Sequence, residues 1–338
     1  MKTNSAQLNT NEAVQEESEI RINDTEVEKA CELLYRIVDN IETVIIGKRS
    51  VVELVVLALI SGGHVLIEDV PGVGKTSLVS ALAKSISCDF KRIQFTPDIM
   101  PSDVTGFSIY NQKTGEFEFR PGAIMSNIVL ADEINRASAK TQSSLLEAME
   151  EQQVTVDSHT YILKQPFMVL ATQNPLESFG TYPLPEAQID RFLIKVSIGY
   201  PSSDDEMKVI AMERNIKEYL QPTATGEDVL FLKKAAERVY VSPMIVKYII
   251  DIITATRNNP DILLGSSPRG GIALYRLCCA YALYKGRNYV IPDDVKYLVP
   301  YTLCHRLILS HEAKTNKKTA EQIIASILDS ILVPMVRE

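Results

Sequence analysis

Residues 64–77 read HVLIEDVPGVGKTS, an apolar run followed by two glycines, a lysine and a threonine. The apolar run predicts a buried strand, and the sequence after it predicts a glycine loop that leads into a helix over residues 76–85. Gly72 and Gly74 let backbone N–H groups approach a bound phosphate closely, because no Cβ is in the way. The N-terminus of the helix adds its positive dipole. This stretch therefore predicts a phosphate-binding loop.

The polar side chains of this loop have separate expected roles. Lys75 places its charge on the outer phosphates, and the Thr76 hydroxyl is a ligand for Mg²⁺. The pattern G-x-x-x-x-G-K-[ST] has its first glycine at position 69, where this chain has Asp69. Because aspartate tolerates turn conformations better than most residues, we interpret Asp69 as a variant of the loop. The predicted nucleotide-binding positions in the loop are Val70, Pro71, Gly72, Val73, Gly74, Lys75, Thr76 and Ser77.

A second predicted strand ends in two carboxylates. Residues 126–131 read SNIVLA and are followed by Asp132 and Glu133. A continuous apolar run is typical of a buried parallel strand, and ligands bind at the carboxyl ends of the strands in open α/β sheets. Asp132 is therefore predicted to hold Mg²⁺, directly or through water. Glu133 is predicted to orient and polarise an attacking water molecule.

A third apolar strand ends in a polar amide. Residues 167–172 read FMVLAT, and Gln173, Asn174 and Pro175 follow. An asparagine before a proline is most often a turn residue. In this chain, however, Asn174 follows a loop lysine and an acidic strand, and this order along the chain favours a catalytic role. We predict that Asn174 hydrogen-bonds the γ-phosphate or the attacking water.

The composition is that of a soluble globular protein. The 338 residues are 46% hydrophobic and 23% charged, and they are enough for about two domains. The net charge of −8 argues against broad binding to nucleic acid or to anionic membranes. The five cysteines show no CxxC spacing, which predicts reduced thiols and a cytoplasmic location. The most apolar segment, residues 51–60, is too short to insert across a bilayer.

Pattern changes divide the chain into three parts. Residues 1–24 are polar and poor in aromatic side chains, which predicts a disordered tail. Residues 25–200 alternate strand and helix patterns, which predicts an α/β core. Residues 201–338 show helical patterns only, which predicts a second, all-α domain.

Within these parts, turn and capping signals predict several elements. β-Hairpins are predicted near residues 107–119 and 153–163, each around a polar turn. Helices of the second domain are predicted to start at Ser203, Pro292 and Thr319, where capping boxes or an N-terminal proline occur.

Four ordered stretches resemble the MoxR family of AAA+ ATPases. They are VPGVGKT at 70–76, LADEINRA at 130–137, ATQNP at 171–175 and LPEAQIDRF at 184–192. The second of these, joined to LLEAMEE at 145–151, is highly specific for that family. The resemblance covers nearly all of residues 27–338. It implies an αβα core with a five-stranded parallel sheet, two β-hairpin inserts that line a face or pore, an all-α lid, and a ring, usually a hexamer.

The resemblance also implies roles for residues outside the strand ends. Arg191 matches the arginine finger that reaches the nucleotide of a neighbouring subunit, and Arg269 matches the sensor-2 arginine. Arginine suits both roles because its guanidinium presents a fixed fork of donors and is not deprotonated. Gly47 resembles the segment that packs on the adenine base. The role of Arg136 stays open between the subunit interface and a carboxylate in the core.

The sequence therefore predicts a ring-forming protein that uses ATP and Mg²⁺ to do conformational work on a protein partner. The resemblance implies a chaperone-like assembly, maturation or metal-insertion factor, whose partner carries a von Willebrand factor A domain. Two alternatives are a nucleic-acid remodelling motor and a non-hydrolysing nucleotide switch. Residues 98–120 contain two basic and four acidic side chains, which disfavours the motor. The presence of Glu133 and Arg191 disfavours the switch.

Overall fold

The computed structural model describes residues 21–175, 181–211 and 220–334. In the first two ranges, helices and strands alternate, as the sequence predicts. These elements are α1 (Asp24–Glu42), α2 (Arg49–Ile60), β1 (Val65–Glu68), α3 (Lys75–Ser85), β2 (Phe90–Gln94), α4 (Pro101–Thr105), β3 (Gly106–Asn111), β4 (Glu116–Pro121), β5 (Ile128–Asp132), α5 (Ala139–Glu151), β6 (Gln153–Val156), β7 (His159–Ile162), β8 (Met168–Gln173), α6 (Glu186–Ile189), β9 (Ile194–Val196) and α7 (Ser203–Ala211).

The third range is mainly helical and forms the lid. Its elements are α8 (Gly226–Glu237), α9 (Pro243–Asn258), β10 (Ile262–Leu264), α10 (Pro268–Tyr284), α11 (Pro292–Leu303), β11 (Ile308–Leu309), α12 (His311–Thr315) and α13 (Ala320–Ser330).

A five-stranded parallel sheet forms the centre of the core. Its strand order is β2-β5-β8-β1-β9, and each neighbouring pair is parallel. The carboxyl ends of β5, β8 and β1 therefore meet at one edge, which is where the sequence places its polar residues. The predicted αβα core with a five-stranded parallel sheet is confirmed.

Hydrophobic side chains cover both faces of this sheet. Along β1, Val65 and Ile67 belong to one cluster and Leu66 to another, because successive side chains point to opposite faces. The first cluster also contains residues of α1, α2, α3 and the lid helices, whereas the second contains residues of α5. Burial on both sides makes the sheet a rigid platform for the residues at its edge.

Both predicted hairpins are present. β3 pairs antiparallel with β4, and β6 with β7. The second hairpin turns through Asp157 and Ser158, both with positive φ, and His159 pairs with Val156. The two hairpins touch where the rings of Phe119 and Tyr161 stack with centroids 3.9 Å apart.

The lid is helical as predicted, except for one short ribbon that the sequence did not indicate. β10 and β11 form a short antiparallel ribbon, Ile262 opposite Leu309 and Leu264 opposite Ile308. Strands of two or three residues are too short to show the alternation that identifies a strand in sequence. A run of consecutive apolar residues at this length is equally consistent with a buried helix.

The folded structure begins within the predicted disordered tail. Asn23 caps α1, and the Glu26 N–H donates to its Oδ1 at 2.8 Å. Ile22 is buried, and its N–H donates to the Arg238 carbonyl at 3.3 Å. Residues 21–24 of the predicted tail are therefore part of the folded structure, whereas residues 1–20 lie outside the described residues.

The cap of α7 is shifted by one residue from the prediction. Ser202, not Ser203, provides the cap: its hydroxyl accepts from the Asp205 N–H at 3.2 Å and donates to the Asp205 carboxylate at 2.7 Å. The predicted starts at Pro292 and Thr319 are confirmed. In the described ranges, every helix is too short or too polar to cross a membrane.

Candidate functional site

The phosphate loop opens onto a cleft at the edge of the sheet. The cleft has a volume of about 360 Å³. Gly72 and Gly74 have φ of +89° and +94°, and no heavy atom beyond the adjacent residues lies within 4 Å of the place where a Cβ would be at either glycine. The loop backbone therefore presents an uncovered surface to the cleft. Residues that line the cleft are Pro71, Gly72, Gly74, Lys75, Thr76, Ser77, Arg92, Gln94, Asp132, Glu133 and Asn174.

Two loop residues are held by bonds to the chain around them. The Lys75 ammonium donates to the Asp69 carbonyl at 2.7 Å, so it lies across its own loop. The buried Asp69 carboxylate accepts from the Ser197 hydroxyl at 3.0 Å and from the N–H groups of Ile198 and Gly199. Asp69 thus ties the base of the loop to the segment after β9. Asp69 does not have a positive φ, so this variant of the loop is held by its side-chain bonds and not by a left-handed backbone.

Thr172 joins the two carboxylates of the acidic strand. Its hydroxyl donates to Asp132 Oδ1 at 2.6 Å and accepts from the Glu133 N–H at 2.8 Å. Glu133 has a φ of +57°, a conformation that non-glycine residues seldom adopt. This bond holds the backbone so that the Asp132 and Glu133 side chains both face the cleft.

Strand β2 supplies two further polar residues to the cleft. Arg92 donates to Asp132 Oδ2 from Nη2 at 2.6 Å and from Nε at 3.2 Å. Gln94 donates to Glu133 Oε2 at 2.8 Å, and Arg136 Nε lies 3.2 Å from the same oxygen. The carboxylates of Asp132 and Glu133 are thus each oriented by a donor from β2.

The two implied arginines line a different cavity. Arg191 and Arg269 lie with Glu150 around a space of about 230 Å³, and neither lines the cleft of its own phosphate loop. Arg191 follows the core helix α6, and Arg269 lies in the first turn of the lid helix α10. The residues predicted to act on a nucleotide therefore lie on two separate surfaces of the described chain.

Comparison with known proteins agrees with this architecture. Residues 64–194 match the ATPase family associated with various cellular activities (AAA), and residues 254–327 match the AAA lid domain. The chain is 56% identical to the uncharacterised protein YeaC of Bacillus subtilis, over 90% of this chain and 96% of YeaC. It is 40% identical to the chaperone MoxR1 of Mycobacterium tuberculosis, over 90% of this chain and 83% of MoxR1. The chain belongs to the MoxR family of AAA+ ATPases.

A solved structure supports the fold of this MoxR-family chain. A Cytophaga hutchinsonii protein, named as a candidate ATPase, superposes with a TM-score of 0.87 at 40% sequence identity. The match covers 92% of this chain and 98% of that one. The family resemblance and the fold class inferred from sequence are thus confirmed, whereas the roles of individual residues stay predictions.

Not every predicted nucleotide position of this MoxR-family chain lines the cleft. Val70 and Val73 do not, and Val73 packs against the hydrophobic core. Gly47 is also outside the cleft. Its φ of +71° disfavours a side chain, and a Cβ at this position would lie against the Asp205 carboxylate. The adenine contact proposed for this segment stays a prediction.

Two polar residues of the cleft were absent from the sequence prediction. Arg92 and Gln94 alternate along β2, so they share one side of the strand next to the acidic strand. That alternation was the available signal, but it resembles an ordinary solvated strand face. Arg136 forms an ion pair with Glu133, a carboxylate of the core, and its role at a subunit interface stays open.

Proposed function

We propose that this chain is a Mg²⁺-dependent ATPase whose site is shared between adjacent subunits of a ring. The observation that carries the proposal is the separation of two residue sets within one chain. The phosphate loop and carboxylates line the cleft, whereas Arg191 and Arg269 line the second cavity. Because arginine and phosphate must meet for phosphoryl transfer, the arginines of one subunit would serve the cleft of the next.

The cleft fits a Mg²⁺–ATP complex. The uncovered backbone at Gly72 and Gly74 suits phosphate oxygens, and the hydroxyl of Thr76 and the carboxylate of Asp132 are oxygen ligands of the kind that Mg²⁺ prefers. When bound, Mg²⁺ would neutralise charge on the phosphates. Few protein ligands are needed, because Mg²⁺ at such sites keeps waters and phosphate oxygens.

The residues of the cleft would contribute separately to hydrolysis. Lys75 would exchange its bond to the Asp69 carbonyl for a phosphate oxygen, which keeps its charge satisfied throughout. Glu133 would accept a hydrogen bond from the attacking water, after its Oε2 gives up the bond from Gln94. Asn174, buried beside them at the end of β8, would orient the water or the γ-phosphate.

Arg191 and Arg269 would stabilise the charge that develops on the transferring phosphoryl group of the neighbouring subunit. A guanidinium binds phosphate oxygens through paired donors and stays charged at every working pH. An arginine supplied in trans contributes on the order of 10³–10⁵ in rate in related systems. Both arginines line one cavity, so we assign both to the same neighbouring nucleotide.

A protein partner is the target that the surface supports best. The hairpins expose large apolar side chains, among them Phe117 at 74% and Ile162 at 77%, and such groups favour protein contacts. The name of the M. tuberculosis relative, Chaperone MoxR1, supports a chaperone-like role. A hexameric ring, a cytoplasmic location and a partner with a von Willebrand factor A domain complete the proposal, and they rest on the family resemblance.

Two variants test the assignment of the cleft. Lys75→Ala should lose nucleotide binding, and Glu133→Gln should bind a fluorescent ATP analogue normally while phosphate release falls by roughly 10²-fold or more. Glu147→Gln, an exposed carboxylate on α5 outside the cleft, is the control and should behave like the wild type. Undiminished steady-state phosphate release by Glu133→Gln would overturn the hydrolytic assignment and favour a different role for the cleft.

A further inference from the structure

Two arginines from different domains meet at one carboxylate. Glu150 lies in the last turn of α5. Its Oε2 is 3.1 Å from Arg191 Nε, and its Oε1 accepts a hydrogen bond from Arg269 Nη2. Because Arg191 belongs to the core and Arg269 to the lid, this carboxylate joins the two domains at the cavity that holds both arginines.

The other carboxylate of this cavity is already engaged. Asp190 accepts from Arg306 Nε at 2.8 Å and from the Ser267 hydroxyl at 2.9 Å. The Ser267 hydroxyl in turn accepts from the Arg269 N–H at 3.1 Å. Asp190 therefore fixes the backbone at Arg269 to the core, and the guanidinium is left for Glu150 to orient.

The cavity carries an excess of positive charge. Four arginines and two carboxylates line it, namely Arg191, Arg269, Arg276 and Arg306 with Glu150 and Asp190. Like charges repel, so two guanidiniums without a shared carboxylate would move apart. A cavity with net positive charge and partly exposed guanidinium donors suits a polyanionic ligand.

Stability does not account for the Glu150 contacts. The side chains of Arg191, Arg269 and Glu150 are 28%, 53% and 35% exposed, and ion pairs at such exposure contribute little to folding. The Arg191 contact also has ion-pair distance without hydrogen-bond alignment. Its guanidinium is thus held in place but can still turn toward an incoming anion.

We propose that Glu150 is a positioning residue that holds Arg191 and Arg269 side by side as one paired binding site for the nucleotide phosphates of the adjacent subunit. The proposal rests on the shared site proposed above. A carboxylate shared between two guanidiniums sets their spacing while the cavity is empty of phosphate. A triphosphate carries more charge than one carboxylate, so it displaces Glu150 from part of their donors.

The test is Glu150→Gln, which keeps the shape of the side chain and removes its charge. We expect kcat for ATP to fall by about tenfold or more, while KM and the affinity for a fluorescent ATP analogue stay within about twofold of wild type. A general disturbance of the fold would change the affinity as well. Glu147→Gln, one turn earlier on α5, is the matched control and keeps wild-type kcat. Sedimentation velocity verifies that all variants assemble equally.

Mixing with Lys75→Ala identifies where Glu150 acts. Lys75→Ala subunits keep Glu150 and both arginines, so they should restore phosphate release by the intact clefts of Glu150→Gln subunits. Restored phosphate release when Arg191→Ala is mixed with Lys75→Ala would support the shared site. If, in that case, Glu150→Gln alone keeps wild-type kcat, or if its lost activity is not restored by the same mixing, the Glu150 proposal is wrong and the shared site stands. If Arg191→Ala is not restored either, the shared site itself is wrong, and the Glu150 proposal fails with it.

Discussion

Asp69 shows how one side chain can replace a glycine of the common phosphate-loop pattern by taking on a structural role. Its buried carboxylate accepts hydrogen bonds from three groups of the segment after β9, at Ser197, Ile198 and Gly199. These bonds fix β9 to the start of the loop beside Lys75. The loop is therefore held at its base by a tertiary contact and not by backbone freedom at position 69.

Restoring the common pattern should consequently harm this protein. Asp69→Gly leaves buried N–H groups without an acceptor, and we expect the free energy of unfolding to fall by about 2–4 kcal/mol. Nucleotide affinity should fall as well. Denaturant unfolding measures the first effect, with Glu68→Gln as the control. The Glu68 carboxylate is 37% exposed and pairs with Lys195, so its loss should cost less than about 1 kcal/mol. A denaturation midpoint unchanged by Asp69→Gly would contradict this account.

The residues of the cleft were predictable only where a motif marks a strand end. Lys75, Asp132, Glu133 and Asn174 come together because parallel strands carry their carboxyl ends to one edge. The donors to the Asp69 carboxylate and the pairing of Arg92 with Asp132 were not predictable, since in both cases the partners lie far apart along the chain. No local pattern encodes which carboxylate such a residue will meet.

Elements of regular length were predictable, and very short ones were not. The five sheet strands and both hairpins show apolar runs or alternation bounded by turn residues, and the structure has them. The ribbon of β10 and β11 has too few residues to display a period. The position of the α7 cap was ambiguous, because Ser202 and Ser203 are adjacent and an acidic residue follows each at the right spacing.

Packing between elements also depends on His64, just before β1. Its Nδ1 accepts from the Val169 N–H at 3.0 Å, so the ring is neutral with the proton on Nε2, which donates to the Met149 carbonyl at 3.1 Å. Burial lowers the pKa of His64 to about 4. The imidazole thus joins β1, β8 and α5 at the amino end of the sheet.

This lowered pKa predicts a pH dependence of stability. The unfolded chain binds a proton at His64 below about pH 6.5, whereas the folded chain resists it until about pH 4. The free energy of unfolding should therefore decrease as pH falls through this window, by up to about 3 kcal/mol from this group. His64→Gln can make both hydrogen bonds without titrating, so its profile should be flatter. Burial also lowers the pKa of His305, so part of the pH dependence of stability should remain in both proteins.

Urea unfolding between pH 4 and 7 tests this prediction, with the wild type and His64→Gln measured side by side. The relevant quantity is the difference between the two profiles, because carboxylates elsewhere titrate equally in both. Parallel profiles for the two proteins would show that His64 does not contribute.

On the scale of the whole molecule, the proposed shared site requires each chain to carry two incomplete halves. Among the described residues, neither Arg191 nor Arg269 lines the cleft, and no residue of the phosphate loop lines the cavity around these two arginines. A closed ring with head-to-tail contacts would place one half against the other at every interface. The same separation explains why a single subunit is not expected to hydrolyse ATP efficiently.

One measurement tests the shared site most directly. Arg191→Ala should bind nucleotide normally and lose turnover, and Lys75→Ala should lose binding. Mixed in one ring, the two variants create some interfaces that pair an intact loop with an intact arginine, so phosphate release should return and depend on the mixing ratio. The shared site is contradicted if mixed rings assemble but stay inactive at every ratio. The control is wild-type protein mixed with either variant: its activity must fall only in proportion to the fraction of wild-type subunits, which excludes hydrolysis that needs every subunit of the ring to be intact.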